Sequence, residues 1–96
     1  MQPHVSKVLL VSNLPHDLDP VTLFKIFSIY GNVLRVKFIS SAKDKALIEF
    51  ETVDMSILAK ENLNSVSYLS RTLQLQFSKH NQIYLGRQID IDSDFA

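Results

Sequence analysis

The apolar period of this chain changes from two to about 3.6 and back again, twice, within 96 residues. Residues 7–12, Lys-Val-Leu-Leu-Val-Ser, are an aliphatic, β-branched run that predicts a strand. Asn13-Leu14-Pro15 ends it. Asp19-Pro20 then marks a helix start, because Asp19 caps free amides and Pro20 suits the first helical position. Leu23, Phe24, Ile26, Phe27 and Tyr30 recur at spacings of three and four, and Gly31 is expected to stop the helix in the left-handed conformation. In residues 33–39, Arg35 and Lys37 alternate with Val36 and Phe38, a second strand; residues 40–44 form a polar loop. Residues 45–50 alternate again, with Ala46, Ile48 and Phe50 on one side and Lys45, Leu47 and Glu49 on the other. Thr52 caps a second helix with a stripe of Met55, Leu58, Ala59, Asn62 and Leu63. Residues 64–72 connect onward, with a short hairpin around Tyr68. Leu73, Leu75 and Phe77 alternate with Gln74, Gln76 and Ser78 as a fourth strand.

The order strand, helix, strand, strand, helix, strand predicts an α+β chain: the ferredoxin-like β-α-β-β-α-β sandwich, one four-stranded antiparallel sheet with both helices on one face. Alternation sends Leu9, Val11, Val36, Phe38, Ala46, Ile48, Phe50, Leu73, Leu75 and Phe77 toward the helices. The opposite face carries Leu10, Ser12, Arg35, Lys37, Lys45, Leu47, Glu49, Gln74, Gln76 and Ser78. Nothing in the chain is left over to cover it, which makes it the expected functional surface. Ile83-Tyr84-Leu85 reads as a fifth strand near 82–85 pairing with an open edge, the alternative being a frayed linker. The expected layout is an N-terminal tail over 1–6, one domain over 7–85, and a C-terminal tail or linker over 86–96.

Composition narrows the function. The length allows one domain, and the absence of cysteine excludes disulfides, zinc–thiolate sites and cysteine nucleophiles. His4, His16 and His80 show no metal-ligand spacing, and no cofactor is expected. Paired carboxylates, nucleophile–base pairs and a glycine-rich phosphate loop are all missing, so the chain is not expected to be an enzyme. No apolar run approaches a membrane span and no signal-peptide pattern opens the chain, so a soluble, intracellular setting is expected, with no membrane partner. Ten basic residues balance ten acidic ones, unlike the basic footprint usual for nucleic-acid binding. The distribution is uneven, however: Arg35, Lys37, Lys43 and Lys45 face only Asp44 between residues 35 and 45, while Asp90, Asp92 and Asp94 make the tail acidic.

Two segments carry a resemblance. The hexamer Leu9 to Leu14 resembles the short motif of the RNA recognition motif, an aliphatic run ending in Asn-Leu. The octamer Lys43 to Phe50 resembles its long motif, with Lys first and Ala46, Ile48 and Phe50 at the fourth, sixth and eighth places. Their spacing fits, as does the helix end Ser28-Ile29-Tyr30-Gly31. Where that family stacks bases on aromatic rings, this chain has Leu10, Lys45 and Leu47, and its glycine at the octamer's second position is Asp44. Loss of all three rings is similar to one subgroup, the polypyrimidine tract-binding proteins and heterogeneous nuclear ribonucleoprotein L. Residues 8–14, Arg35-Val36-Lys37 and residues 77–80 resemble that subgroup too, and the similarity runs from about Val8 to His80.

The resemblance implies a nuclear RNA-binding module, with shuttling to the cytoplasm open. It would act as a monomer within a multi-domain regulator of splicing or mRNA processing, and read short single-stranded C/U-rich RNA. The residues expected to do so are Leu10, Ser12, Arg35, Lys37, Lys45, Leu47, Gln74, Gln76, Ser78, Lys79 and His80. Leu10 and Leu47 would pack flat on a base. Arg35 and Lys37 would donate to base acceptors or phosphates; Ser12, Gln74, Gln76 and Ser78 would pair with a base edge, with backbone groups near 78–82. The rival reading is a protein-interaction module that binds a peptide or sibling domain on the outer sides of the helices, around Lys25, Ile29, Ile57 and Lys60-Glu61.

Overall fold

The structure is a computed structural model and describes residues 4–39 and 44–79. Its elements are β1 (Val8–Ser12), α1 (Pro20–Ser28), β2 (Val33–Phe38), β3 (Ala46–Phe50), α2 (Val53–Leu63), β4 (Ser67–Tyr68), β5 (Arg71–Thr72) and β6 (Gln74–Phe77). Strands β2, β3, β1 and β6 form one antiparallel sheet in that order, and β4 and β5 form the small hairpin expected around Tyr68. The two motif strands, β1 and β3, are therefore the central pair. The expected fifth strand at 82–85 lies outside the described residues.

Both helix starts form as their sequences require. Asp19 accepts from the Thr22 amide at 2.8 Å, and Thr52 Oγ1 accepts from the Met55 amide at 3.3 Å. Leu23 and Phe27 of α1 and Ala59 and Leu63 of α2 pack with Leu9, Val11, Val36, Ala46, Ile48, Phe50, Leu73 and Leu75 in one core. Burying each large apolar side chain contributes about 1.5–3 kcal/mol. Phe38 and Phe77, expected in that core, are only half-buried against it. Both sit at the ends of the sheet's two edge strands, where fewer neighbours cover them.

The α2 stripe is corrected. Leu58 and Asn62 are exposed, and the buried side runs through Ser56, Ala59 and Leu63. Ser56 is buried because its hydroxyl is satisfied, 2.6 Å from the Ser6 carbonyl and 2.8 Å from that of Val53. Gly31 is also corrected. The helix ends at Ile29 in right-handed geometry, and the positive-φ residues among those described are Asn13, Ser65, Leu69 and Ser70. What requires a glycine at 31 is space: a Cβ there would lie 2.5 Å from Met55 Cβ.

One irregularity sets the functional face. Val33 pairs with Phe50 and Arg35 with Glu49, so Leu34 is an extra residue in β2. The bulge lets Val33 join Val36 in the core while Arg35 and Lys37 turn to the other side. Strict alternation would have put Val33 and Arg35 on the same face.

Candidate nucleic-acid interface

The register sorts the open-face side chains into rows across the sheet. Lys37 pairs with Leu47, Leu47 with Leu10, and Leu10 with Gln76, giving one row from edge to edge. Leu10 and Leu47, opposite each other on the central strands, meet as a cross-strand apolar pair. The row on one side pairs Ser12 with Gln74, with Lys45 just before β3. The row on the other side runs Arg35, Glu49, Val8 and Ser78, where the Ser78 amide donates to the Val8 carbonyl at 2.8 Å. Same-face rows lie about 7 Å apart, two residues along each strand.

A shallow cavity of about 350 Å³ opens on the middle row, lined by Leu10, Ile39, Leu47, Gln76, Phe77, Ser78 and Lys79. It brings together five of the eleven residues singled out from the sequence: Leu10, Leu47, Gln76, Ser78 and Lys79. Ile39 and Phe77 were missed as lining residues. Ile39 continues the Arg35, Lys37 alternation by one step, a signal present in the sequence; Phe77 reads as core from alternation alone. Lys37 shares the middle row by register; Ser12, Gln74 and Lys45 lie one row to one side of it and Arg35 one row to the other. His80 and Lys43 lie outside the described residues.

Two features of the face depart from the sequence reading. Glu49, assigned to the open face, is only 3% exposed, and its carboxylate accepts from Arg35 Nη1 at 2.9 Å. The pairing neutralises Arg35, so the positive charge expected along 35–45 is smaller on this face than the sequence count implies. Val8 shares that row and is 1% exposed. This end of the face is thus buried rather than wholly open. Within the apolar run Val8-Leu9-Leu10-Val11, Val8 is buried on the sheet side that Leu10 leaves half-open. The backbone at Ser78 is engaged too: its amide meets Val8, and its carbonyl accepts from His4 Nε2 at 2.8 Å. That leaves less of it for reading a base edge than expected, and gives His4, set aside in the sequence, a structural role.

Two clefts lie elsewhere. One, of about 300 Å³, sits between Pro15, Leu18, Asp19 and the hairpin residues Tyr68 and Leu69. The other, of about 210 Å³, lies between Val5 and α2 at Ile57, Lys60 and Glu61, with Phe77 behind; Lys60 Nζ stands 5.5 Å from the Phe77 ring centre. No group of three or more His, Cys, Asp or Glu among the described residues is placed to hold a metal. No helix among them is long and apolar enough to cross a membrane.

A sheet backed by two helices on one side, with polar and aliphatic side chains in rows on the other, has the open-sheet architecture that RNA-binding modules use. The family model described as "RNA recognition motif (a.k.a. RRM, RBD, or RNP domain)" matches residues 1–94, and the chain belongs to that family. It is 37% identical over 79 residues to polypyrimidine tract-binding protein homolog 3 of Arabidopsis thaliana, covering 81% of this chain. The chain spans 18% of the length of that plant protein. Among solved structures, it resembles the Rna15 RRM with bound GU RNA (TM-score 0.76, 28% identity, covering 83% of this chain and 90% of that one). A structure of the RNA15 RRM scores 0.72 at 28% identity, covering 78% of this chain and 92% of that one.

Proposed function

We propose that this chain is a non-catalytic module that holds short single-stranded, pyrimidine-rich RNA on its open sheet face. The observation that carries the reading is the row Lys37, Leu47, Leu10, Gln76, whose last three members line the 350 Å³ cavity. It sets a cation, an aliphatic pair and an amide across one strip of sheet. The aliphatic pair covers the flat of a base, and Gln76 matches a base edge. Lys37 and Lys79 meet phosphate or a carbonyl oxygen. Small pyrimidines, with compact donor and acceptor edges, suit a face that relies on hydrogen bonds more than on aromatic stacking. Ser12, Gln74, Ser78 and Lys45 extend the contacts, and His80 is assigned to the same path.

The likeness to a polypyrimidine tract-binding homologue, of which the match spans 18%, supports a role as one module of a larger nuclear mRNA-processing or splicing protein. We assign the module itself as a monomer. Fluorescence anisotropy with labelled C/U-rich and A-rich oligonucleotides tests the reading. Wild type should prefer the pyrimidine strand, and Lys37→Glu and Leu47→Asp should each weaken it at least tenfold with the fold intact by circular dichroism. Equal binding of the two strands would remove the pyrimidine assignment, and unchanged affinity in both variants would remove the face.

One observation favours a second activity. Ile29 at the end of α1 is 74% exposed, and the cleft at Val5, Ile57, Lys60 and Glu61 is apolar within a charged rim. These fit a peptide or sibling domain on the helical side. Such binding should survive Lys37→Glu and fall with Ile57→Asp.

A further inference from the structure

We infer that the Arg35 guanidinium, tethered by Glu49, acts as a flat cationic platform on which an RNA base stacks, in place of an aromatic ring. The inference rests on the proposed RNA reading of this face and adds the role of one residue within it. Among the described residues, none in the three open-face rows is aromatic: they hold Ser12, Lys45, Gln74, then Lys37, Leu47, Leu10, Gln76, then Arg35, Glu49, Val8, Ser78; the Phe77 ring, which borders the cavity, is taken up by the core and by Lys60. Leu10 and Leu47 supply apolar contact but no π surface. Arg35 supplies one, since its guanidinium is planar and delocalised and stacks on other π systems.

Three observations make Arg35 a fixed plane rather than a swinging charge. Its side chain is only 32% exposed, and one guanidinium nitrogen lies 2.9 Å from Glu49 Oε1. Glu49 is itself almost wholly buried, so the anchor is held by the packing around it. The β2 bulge at Leu34 turns Arg35 onto the open face directly opposite Glu49. The pair is also neutral as a unit. A guanidinium already matched by a carboxylate gains less from a phosphate, and what it still offers a single strand is the third of its side chain left uncovered, 32% exposed. The guanidinium plane stands one row, about 7 Å, from Leu10 and Leu47. Consecutive bases of one strand would then rest on unlike supports, the first aliphatic and the next cationic.

The test separates plane from charge. Arg35→Lys keeps the charge and loses the plane. It should weaken C/U-rich RNA by about tenfold while leaving the slope of log affinity against log salt unchanged. In wild type, the side-chain Cδ protons of Arg35 should move upfield on adding RNA, as protons over a base ring do. Glu49→Gln loosens the tether and should weaken RNA binding and shrink that upfield movement, with the rest of the spectrum still dispersed as in the folded chain. Wild-type affinity in Arg35→Lys would overturn the inference, as would Arg35 protons unmoved while Leu10 and Leu47 respond; both leave RNA binding by the face in place. An absence of any RNA binding by wild type would overturn both readings together.

Discussion

At the scale of single residues, side chains with unremarkable sequence signatures take the sharpest constraints. Gly31 is held by Met55, whose side chain occupies the space that any Cβ at 31 would enter. Gly31→Val should therefore destabilise the domain by about 1–3 kcal/mol, as overpacked sites do, and show a lower midpoint in urea unfolding. Because the nearest atom is the Met55 Cβ, which alanine keeps, adding Met55→Ala to Gly31→Val should not restore the wild-type midpoint. Ser6 and Ser56 are buried serines that hold the N-terminal arm to α2, through the Ser56 hydroxyl on the Ser6 carbonyl. Periodicity gives no warning of Ser56, because a satisfied hydroxyl at a core position looks like a gap in the stripe.

At the scale of elements, α1 carries a pH dependence. The Thr22 amide hydrogen bond holds the Asp19 carboxyl below the usual aspartate range, with smaller help from Val21 and Lys25. A lowered folded-state pKa means that the charged cap stabilises the fold above the ordinary aspartate value. That contribution is lost as pH falls through the folded-state value. The Thr22 amide resonance should accordingly titrate below about pH 4, and Asp19→Asn, which keeps a capping oxygen, should abolish that titration. A Thr22 amide titrating above that range would contradict the assigned direction. The start of this helix was legible because Asp-Pro has a local mechanism. So were the order of elements, the hairpin at Tyr68 and the alternation of β1 and β3, all of which depend on near neighbours. The β2 bulge was not legible. Val33, Leu34 and Arg35 read as plain alternation, and only pairing with Glu49 and Phe50 across the sheet shows that Leu34 is the extra residue. The same limit hid the Arg35–Glu49 ion pair, whose partners stand on different strands, 14 residues apart. It also explains why Glu49 read only as one polar residue of the open face.

At the scale of the whole molecule, zero net charge and a face partly neutralised by its own ion pair predict weak binding by one module. The slope of log affinity against log salt should be shallow, near −0.7 for each phosphate met by a lysine, and Lys37→Ala should reduce it by about that amount if Lys37 meets phosphate. A steep slope untouched by that change would place the phosphate path elsewhere. Linking modules raises avidity by roughly 10²–10⁴ without new contacts, which suits a chain spanning 18% of the length of its plant relative. The acidic cleft side at Asp17 and Asp19 lies beside Tyr68 and Leu69, away from the Leu10–Leu47 row, so it leaves the proposed RNA path free of carboxylates from that loop.

The most direct test of the central claim is an NMR titration of the isotope-labelled chain with a short C/U-rich RNA, alongside an A-rich strand of equal length. The account predicts that the pyrimidine strand moves Leu10, Ser12, Lys37, Leu47, Gln76 and Ser78 while the outer sides of α1 and α2 stay still. Saturating pyrimidine RNA that left every one of those sheet resonances unmoved would contradict it.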